Sequence, residues 1–386
     1  MSKGKNKKFL ILSSTFGEGH NQVANAIREA VESTLPGTIP IILDTMEWIH
    51  PYLYPISNFF YKSSIKKFPQ VYSYFYRKTR VRNSFSTKLN SIFTFGMHSI
   101  LEVIREVKPS VVVSTYPFAA GILSNLKQHR LINIPTVTII TDYTDHSYWI
   151  YPHTDQYLVG TNRLRDQLIL QGIEEYKIKV TGIPIRQRFI ETQPREKLLK
   201  KYGMDPNKFT ILMMGGGEGY IGKGLSTLHV LDSISQSFQL IIVCGRNHKL
   251  KKQFELEVKN CKHDVLLLGF CEEVQELMAI SNLLITKPGG VTTSEALAMG
   301  VPLLIMNPLP GQEEDNANYL LRSGLAFLAK NEHDLRSKIQ NFLNDEKSLT
   351  AIQHRTEQYR RIRTSSIDAL NAIVNVMDSG QKQIIC

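Results

Sequence analysis

Short apolar runs alternate with segments of helical spacing along most of the chain. Phe9–Ser14 reads as a strand, whereas Asn21–Glu32 carries apolar residues at helical spacing, at Val23, Ile27 and Val31. Runs that are almost entirely apolar are typical of parallel strands buried on both faces. The other predicted strands are Ile39–Leu43, Val111–Thr115, Thr136–Thr141, Tyr157–Val159, Val180–Ile185, Thr210–Met214, Leu240–Cys244, Val265–Gly269, Leu283–Thr286 and Pro302–Met306. The alternation predicts parallel sheets covered by helices.

The alternation occurs twice, and a polar segment separates the two runs. Thr192–Lys208 contains Pro194, Pro206 and a run of charges, which is the composition of a crossing between domains. A chain of 386 residues is also longer than one ordinary core requires. We therefore predict an α/β protein with two Rossmann-like, doubly wound parallel-sheet domains facing a cleft. The N-terminal domain would comprise residues 1–192 and the C-terminal domain residues 193–357, with a helix at about 358–386 packing back on the first domain.

Charge and cysteine content narrow the classes of protein. The formal net charge of +11 suits an anionic partner or substrate. The cysteines Cys244, Cys261, Cys271 and Cys386 have neither zinc-site nor redox-motif spacing, so we expect reduced thiols in a cytosolic protein. The sequence shows no secretory signal pattern and no apolar run of membrane-spanning length. These features favour a cytoplasmic location.

One interval of the chain combines cations with aromatic residues. No Asp or Glu occurs between Glu47 and Glu102, and the interval is rich in Tyr and Phe. Aromatic rings interleaved with Lys and Arg suit the interface of an anionic membrane. They also suit stacking on single-stranded nucleic acid, or they form the core of ordinary helices. We favour peripheral docking on the inner face of the cell membrane and no nucleic acid. The candidate docking residues are Lys62, Lys66, Lys67, Arg77, Arg80 and Arg82.

The clearest candidate binding site follows the strand Leu283–Thr286. The strand breaks at a Pro-Gly-Gly turn, residues 288–290, and a helix rich in Ala and Leu begins there. Such a turn forms an anion site, because glycines admit a ligand close to the N–H groups of the first helical turn. Thr292 and Thr293 add hydroxyls, and Glu295 can accept hydrogen bonds from ribose hydroxyls. The pattern indicates a nucleotide diphosphate-sugar, and the alternative is a tight turn with a surface carboxylate.

The first strand leads into Gly17-Glu18-Gly19-His20, which partly matches a dinucleotide-binding fingerprint. Gln22 stands where that fingerprint has its third glycine, and Asp44 ends the second strand where a ribose-binding acid would lie. A nicotinamide oxidoreductase is therefore one hypothesis. A histidine at a loop–helix junction is better suited to general base catalysis, and a structural or capping role is the alternative. We expect Thr15–His20 to be a loop.

Further segments carry polar groups suited to a substrate. The loop Gly215–Gly224 resembles a phosphate cradle without the ending of a P-loop, or it is a flexible turn. Pro308–Ala317 is a loop whose side chains suit sugar hydroxyls, or it is a solvated acidic loop. Asp142 can orient a base or an acceptor hydroxyl, and with Asp145 it offers too few ligands for a metal site. Arg186 suits a diphosphate.

Together these segments resemble the family 28 glycosyltransferases of GT-B fold, in particular diacylglycerol β-glucosyltransferases and monogalactosyldiacylglycerol synthases. The resemblance is spread over most of the chain and keeps the family's order of motifs. It rests on Phe16–His20, Thr141-Asp142, Gly182–Arg186, Val243-Cys244-Gly245, Thr286–Gly290, Ser294-Glu295-Ala296 and Pro310–Ala317.

The resemblance implies an inverting hexosyltransferase. It would move a hexose from a UDP-sugar such as UDP-glucose to the hydroxyl of a membrane lipid such as diacylglycerol, giving a β-glycolipid. The UDP-sugar is a co-substrate, and the resemblance implies no metal and no other cofactor. His20 would deprotonate the acceptor, with Asp142 near it. Two alternatives remain, a nucleotide-sugar-binding sensor that lacks catalysis and a UDP-GlcNAc transferase with a different acceptor.

The resemblance also implies how the donor is bound. Glu295 would hold the ribose, the main chain at Phe270 would meet the uracil, and Arg186 with the glycine loop would neutralise the diphosphate. Gln312 and Glu313 would contact sugar hydroxyls. The full set of implied donor-binding residues is Gly19, Arg186, Gly215, Gly216, Gly217, Phe270, Gly289, Gly290, Thr292, Glu295, Gln312 and Glu313.

Overall fold

The structure is a computed structural model that describes residues 7–15, 17–49, 74, 76–80, 96–219, 222–345, 347–359 and 364–384. The predicted docking residues Lys62, Lys66, Lys67 and Arg82, together with Phe16, lie outside these described residues. The chain divides into two compact units. Unit 1 is Met1–Gln187, Pro310–Gln312 and Thr364–Cys386, and unit 2 is Arg188–Leu309 and Glu313–Arg363.

Unit 1 contains one parallel sheet with helices on both faces. Its elements are β1 (Lys8–Ser13), α1 (Glu18–Thr34), β2 (Ile39–Asp44), α2 (Thr45–Ile49), α3 (Met97–Val107), β3 (Val111–Ser114), α4 (Pro117–Gln128), β4 (Thr136–Ile139), β5 (Gln156–Val159), α5 (Asn162–Leu170), β6 (Ile178–Val180) and the C-terminal α14 (Ser365–Ile384). The strand order is β2-β1-β3-β4-β5-β6. The direction of winding therefore changes between β1 and β3, where ligands bind in open α/β sheets.

The core of unit 1 explains why its strands are apolar at nearly every position. Phe9–Leu12 of β1 and Val111–Val113 of β3 are fully buried. On one face, Leu10 and Leu12 belong to a cluster with Ile100 of α3 and with side chains of α4. The helix α14 packs against α1, β3 and β5. A strand covered on both faces has no polar side, which is the pattern that the sequence shows.

Unit 2 repeats the architecture with a different winding. Its elements are α6 (Arg195–Tyr202), β7 (Phe209–Met214), α7 (Leu225–Asp232), β8 (Phe238–Val243), α8 (His248–Glu257), β9 (Asp264–Leu268), α9 (Val274–Ile280), β10 (Leu283–Thr286), α10 (Gly290–Met299), β11 (Leu303–Met306), α11 (Gln312–Arg322), β12 (Ala326–Ala329), α12 (Glu332–Asn344) and α13 (Lys347–Gln358). The strand order is β12-β11-β10-β7-β8-β9. The winding direction of this sheet changes between β10 and β7. Together the two units confirm the two predicted parallel sheets.

The predicted strand Val180–Ile185 is wrong, because β6 ends at Val180. Gly182 has φ +81°, which no strand residue adopts, and Pro184 has no N–H for a ladder. Ile183 and Ile185 are nonetheless buried. The segment is therefore apolar because its side chains are buried, although its backbone is irregular.

The predicted crossing Thr192–Lys208 contains a helix. In α6 the side chains of Leu198 and Leu199 are buried, and the helix ends at Gly203, which has φ +65°. A short helix with few buried positions has the polar composition of a linker. The change of unit lies between Gln187 and Arg188. The predicted strands do not include β12, a four-residue apolar strand at the edge of the sheet.

Two further findings concern the helices and the cysteines. Among the described residues, no helix combines the length and the apolar character needed to cross a bilayer. Cys244, Cys261 and Cys271 are free thiols, as the sequence predicts. Burial raises the pKa of Cys244 to about 11, so that thiol is protonated and unreactive near pH 7.

Candidate functional site

His20 lies at the winding change of the unit 1 sheet. The helix α1 begins at Glu18, so His20 and Gly19 belong to its first turn, and the predicted loop is shorter than Thr15–His20. The His20 N–H donates to the Gly17 carbonyl at 3.1 Å. The Thr115 hydroxyl, just after β3, donates to the His20 carbonyl at 3.1 Å. The backbone of His20 is thus fixed from both strands that flank the winding change.

The imidazole of His20 is held by a hydroxyl and two aromatic rings. Its Nδ1 lies 3.2 Å from Thr141 Oγ1. Tyr116 packs edge-on with ring centroids 5.3 Å apart, and Trp149 lies at 6.0 Å. Burial lowers the pKa of His20 from 6.5 to about 4, and a hydrogen bond with the Thr115 backbone partly opposes this. The imidazole is therefore neutral at pH 7, as a general base must be.

The contact with Thr141 bears on which nitrogen of His20 can act as a base, because either partner of this hydrogen bond can be the donor. When Thr141 Oγ1 accepts from Nδ1–H, the lone pair is on Nε2. A Cβ added to Gly17 would lie 3.2 Å from His20 Cδ2 and 3.5 Å from Nε2. The absence of a side chain at Gly17 therefore keeps this edge of the ring uncrowded. In the sequence Thr141 precedes Asp142 in one of the family-like segments, but no sequence pattern predicts its contact with His20.

The two aspartates after β4 differ in their surroundings. Asp142 follows Thr141 directly and is partly buried. Asp145 accepts from Arg80 Nη2 at 2.8 Å and from Gln171 Nε2 at 3.0 Å, so its two carboxylate oxygens are used structurally. In the part of the chain that the structure describes, no three His, Cys, Asp or Glu side chains group as metal ligands.

The segment 76–80 is one described part of the basic, aromatic interval, and it is hydrogen-bonded to the loop after β4. His146 is buried, and its Nε2 lies 2.9 Å from the Tyr76 carbonyl. The Ser147 N–H donates to the Arg80 carbonyl at 3.0 Å. With its guanidinium on Asp145, Arg80 is a structural residue as well as a candidate docking residue. Arg77 is exposed.

Two polar residues predicted at ligand sites are engaged inside unit 1. Arg186 donates from Nε to Glu29 Oε1 at 2.7 Å, and its Nη2 lies 2.5 Å from the same oxygen. The two oxygens of Asp44 accept backbone N–H groups, from Thr15 at 2.7 Å and from Met46 at 2.9 Å. Asp44 therefore holds the loop after β1 and caps α2. These hydrogen bonds give Asp44 a structural role, which the ribose-binding role in the oxidoreductase hypothesis did not include.

In unit 2, two glycine-rich turns pack directly on each other at the ends of β7 and β8. The Arg246 N–H donates to the Gly217 carbonyl at 2.8 Å. A Cβ added to Gly219 would lie 1.8 Å from the Cys244 carbonyl oxygen, and one added to Gly245 would lie 2.4 Å from the Gly217 oxygen. Only glycines permit this approach, which fixes Gly215, Gly216 and Gly217 beside the winding change. Phe270, after β9, is half exposed, with the Arg246 guanidinium 4.2 Å above its ring.

The helix α10 presents its N-terminus at the end of β10. Gly289 is the N-cap, and a Cβ added there would meet no atom within 4 Å. The Thr293 hydroxyl donates to the Gly289 carbonyl at 2.8 Å, so it faces its own helix instead of a ligand. Thr292 is partly exposed, and Glu295 is 6% exposed. Of the two predicted hydroxyls, only Thr292 remains a candidate for an anion.

A partly buried ion pair connects the turn after β10 with the helix α11. Lys287 Nζ donates to Glu313 Oε1 at 2.5 Å, and the Leu309 N–H donates to Glu313 Oε2 at 2.9 Å. The segment Pro308–Ala317 is not a loop throughout, because α11 begins at Gln312. Gln312 and Glu313 therefore stand in the first turn of a helix. Sequence reasoning missed Lys287, although it follows β10 at the C-terminal edge of the sheet.

Comparisons with known proteins cover both units. The profile of the monogalactosyldiacylglycerol synthase family matches residues 20–185, and the profile of glycosyl transferases group 1 matches residues 194–359. A processive diacylglycerol beta-glucosyltransferase of Staphylococcus carnosus is 34% identical over 93% of this chain and 90% of its own length.

The chain belongs to the diacylglycerol glucosyltransferase family.

Several solved structures have the same fold as this member of the diacylglycerol glucosyltransferase family. The UDP-GlcNAc 2-epimerase of Neisseria meningitidis, solved with UDP-GlcNAc, has a TM-score of 0.64 at 15% identity and covers 95% of this chain and 100% of its own. MurG of Acinetobacter baumannii has a TM-score of 0.61 at 15% identity and covers 96% and 99%. At such identities the likeness concerns the fold, and the predicted GT-B fold is confirmed.

The family matches divide the candidate site residues between them. The first match begins at His20 and includes Asp142, and the second includes Glu295 and Glu313. In this family member, His20 and Asp142 follow strands of the unit 1 sheet, and Glu295 and Glu313 follow strands of the unit 2 sheet. The predicted roles of these residues remain predictions.

Proposed function

We propose that this chain is an inverting glucosyltransferase that moves a glucosyl group from UDP-glucose to the hydroxyl of diacylglycerol. The observation that carries the proposal is the relation to a processive diacylglycerol beta-glucosyltransferase, 34% identity over 93% of the chain. The match to the monogalactosyldiacylglycerol synthase profile begins at His20, and we assign its neutral imidazole as the base that the reaction needs. Family and chemistry thus support the same activity.

The base step follows from the geometry around His20. Nε2 takes the proton of the lipid hydroxyl as its oxygen bonds to the anomeric carbon, and the bond from that carbon to the UDP oxygen breaks with its electron pair. When Thr141 Oγ1 accepts from Nδ1–H, their contact at 3.2 Å stabilises the imidazolium that forms. A single displacement inverts the anomeric centre, so an α-linked donor gives a β-glycoside. We assign Asp142 to the acceptor side, beside Thr141.

The donor would bind at the C-terminal edge of the unit 2 sheet. The leaving diphosphate would meet the glycine turn Gly215–Gly217 and the α10 N-terminus at Gly289 and Gly290, whose N–H groups favour an anion. Glu295 would accept from ribose hydroxyls, and the main chain beside Phe270 would meet the base. We propose that these protein groups stabilise the leaving diphosphate without a metal ion.

We also propose that the protein docks on the inner face of the cell membrane through its basic, aromatic interval. Arg77→Glu is expected to weaken binding to anionic vesicles at least fivefold, because one cation near such a surface contributes about 1 kcal/mol. Co-sedimentation with phosphatidylglycerol vesicles measures this. Arg336→Glu, an exposed cation of unit 2, is the matched control and should bind as the wild type does. Equal binding by Arg77→Glu and the wild type would contradict the docking surface.

Transfer itself is tested with purified protein, radiolabelled UDP-glucose and vesicles that contain diacylglycerol. We expect glucosyl-diacylglycerol with a β linkage, UDP in equal amount, and no product when diacylglycerol is omitted. UDP-galactose and UDP-GlcNAc arms test the sugar, and chromatography of products with more than one glucose tests whether the chain is processive. Binding of UDP-glucose without product over several acceptor lipids would favour the sensor hypothesis.

A further inference from the structure

The sequence predicts Arg186 of unit 1 as a cation for the donor's diphosphate, and unit 2 offers a second cation, Lys287. Arg186 binds Glu29 through two of its nitrogens, inside unit 1. A cation that meets the diphosphate should lie where the winding of the unit 2 sheet changes, between the turns after β10 and β7. Lys287 is the first residue after β10, and its stem reaches the turn after β7. A Cβ added to Gly216 would lie 3.5 Å from Lys287 Cε.

The ammonium of Lys287 is held in place by an anchored carboxylate. Glu313 Oε1 accepts from Nζ at 2.5 Å, while Oε2 accepts from the Leu309 N–H at 2.9 Å. The side chain of Glu313 is 8% exposed and that of Lys287 is 25% exposed. A carboxylate so deeply buried needs a partner, because burying it unpaired is strongly unfavourable. The more exposed Lys287 can move, whereas Glu313 is fixed at two oxygens.

We propose that Lys287 binds the diphosphate of the donor, and that donor binding exchanges the Lys287–Glu313 ion pair for a Lys287–phosphate pair and a hydrogen bond from the sugar to Glu313. This inference rests on the proposed function. Before the donor binds, Glu313 keeps the ammonium beside the glycine turn. When the donor binds, a sugar hydroxyl donates to Glu313 Oε1 and replaces the lost partner. UDP alone has no sugar to make this replacement, so Glu313 competes with UDP for Lys287.

If donor binding exchanges these partners, removing the Lys287 charge and removing the Glu313 charge should change UDP affinity in opposite directions. Lys287→Met keeps most of the apolar stem and removes the charge, so it should weaken UDP about 10- to 100-fold, as loss of one charged hydrogen bond does. Uridine, which lacks phosphate, should bind unchanged. Glu313→Gln should strengthen UDP binding about three- to tenfold, because the competing carboxylate is gone, while it weakens UDP-glucose relative to UDP. Titration calorimetry of the purified chain with uridine, UDP and UDP-glucose measures all three.

Matched variants separate this role from a merely structural one. Lys338→Met removes another lysine paired with a carboxylate in unit 2, Asp334 at 3.3 Å, and should leave UDP affinity unchanged. Lys287→Arg should restore most of the UDP affinity. If Lys287→Met binds UDP like the wild type, or if Glu313→Gln weakens UDP as Lys287→Met does, the exchange is wrong. If the wild type binds no UDP at all, the proposed function fails first, which is a different result.

Discussion

His20→Ala is expected to lower transfer to diacylglycerol by about 10²- to 10⁴-fold while UDP affinity stays within about twofold. General base catalysis contributes roughly this factor, and alanine leaves the acceptor hydroxyl with no group to take its proton. UDP affinity is spared because His20 belongs to unit 1 and the proposed donor groups belong to unit 2. Initial rates with radiolabelled UDP-glucose, and calorimetric titration of UDP, measure the two quantities.

The pH dependence gives a second readout of the same residue. Since burial lowers the pKa of His20 to about 4, the imidazole stays neutral well below the 6.5 of a free histidine. The acid limb of kcat/KM that belongs to His20 is therefore expected below pH 6. Between pH 6.5 and 4 the unfolded chain binds a proton that the folded chain does not, so the contribution of His20 to stability falls as pH falls. His20→Gln should lose this part of the pH dependence of thermal unfolding.

Thr141 supplies the companion test for the base. Thr141→Val removes the hydroxyl from Nδ1 while keeping the shape of the side chain, so the reactive tautomer is less favoured and kcat should fall about tenfold with UDP affinity unchanged. Thr141→Ser should recover most of the rate. A His20→Ala protein that turns over normally would rule out the base assignment, and a normal Thr141→Val protein would rule out only the role of the hydroxyl.

The elements that the sequence predicts well are those with strong periodicity. The β10–α10 stretch is the best example, because an apolar run, a glycine turn and an Ala-rich helix leave few alternatives. The two parallel sheets follow from the same alternation. Helix starts were less accurate, since α1 begins at Glu18 and α11 at Gln312, inside segments whose polar and glycine residues resemble loops. The N-cap Gly17 gives no strong starting signal, because it has no side chain to cap the helix.

Side-chain pairing is the part that the sequence does not determine. Arg186 and Glu29 are 157 positions apart, and Lys287 and Glu313 are 26 apart, so neither pair leaves a local pattern. Which cation meets which carboxylate depends on the strand order, and the strand order is a property of the folded sheets. The contact between Thr141 and His20 also leaves no local pattern, because the two residues are 121 positions apart. The partners of these side chains were therefore not predictable from the sequence, and the predicted site residues remain predictions.

Gly219→Ala is expected to destabilise unit 2 by roughly 2–4 kcal/mol and to weaken UDP more than about tenfold. Gly219 has φ +65°, and its added Cβ would lie 1.8 Å from the Cys244 carbonyl oxygen, so the two glycine-rich turns would have to separate. Their separation would break the hydrogen bond from the Arg246 N–H to the Gly217 carbonyl and displace the turn proposed to meet the diphosphate. Urea unfolding and titration of UDP measure the two effects.

Gly203 provides a control with the same backbone angle and no obstruction. It also has φ +65°, at the end of α6, and a Cβ added there meets no atom within 4 Å. Gly203→Ala should therefore cost only the backbone strain of an L-residue at positive φ, about 1 kcal/mol, and should leave UDP affinity unchanged. Both variants carry the same cost of a positive φ. The difference between their losses of stability therefore measures the cost of separating the two glycine-rich turns. Equal stability and equal UDP affinity in the two variants would mean that the turns tolerate separation, and that their contact does not hold the diphosphate site together.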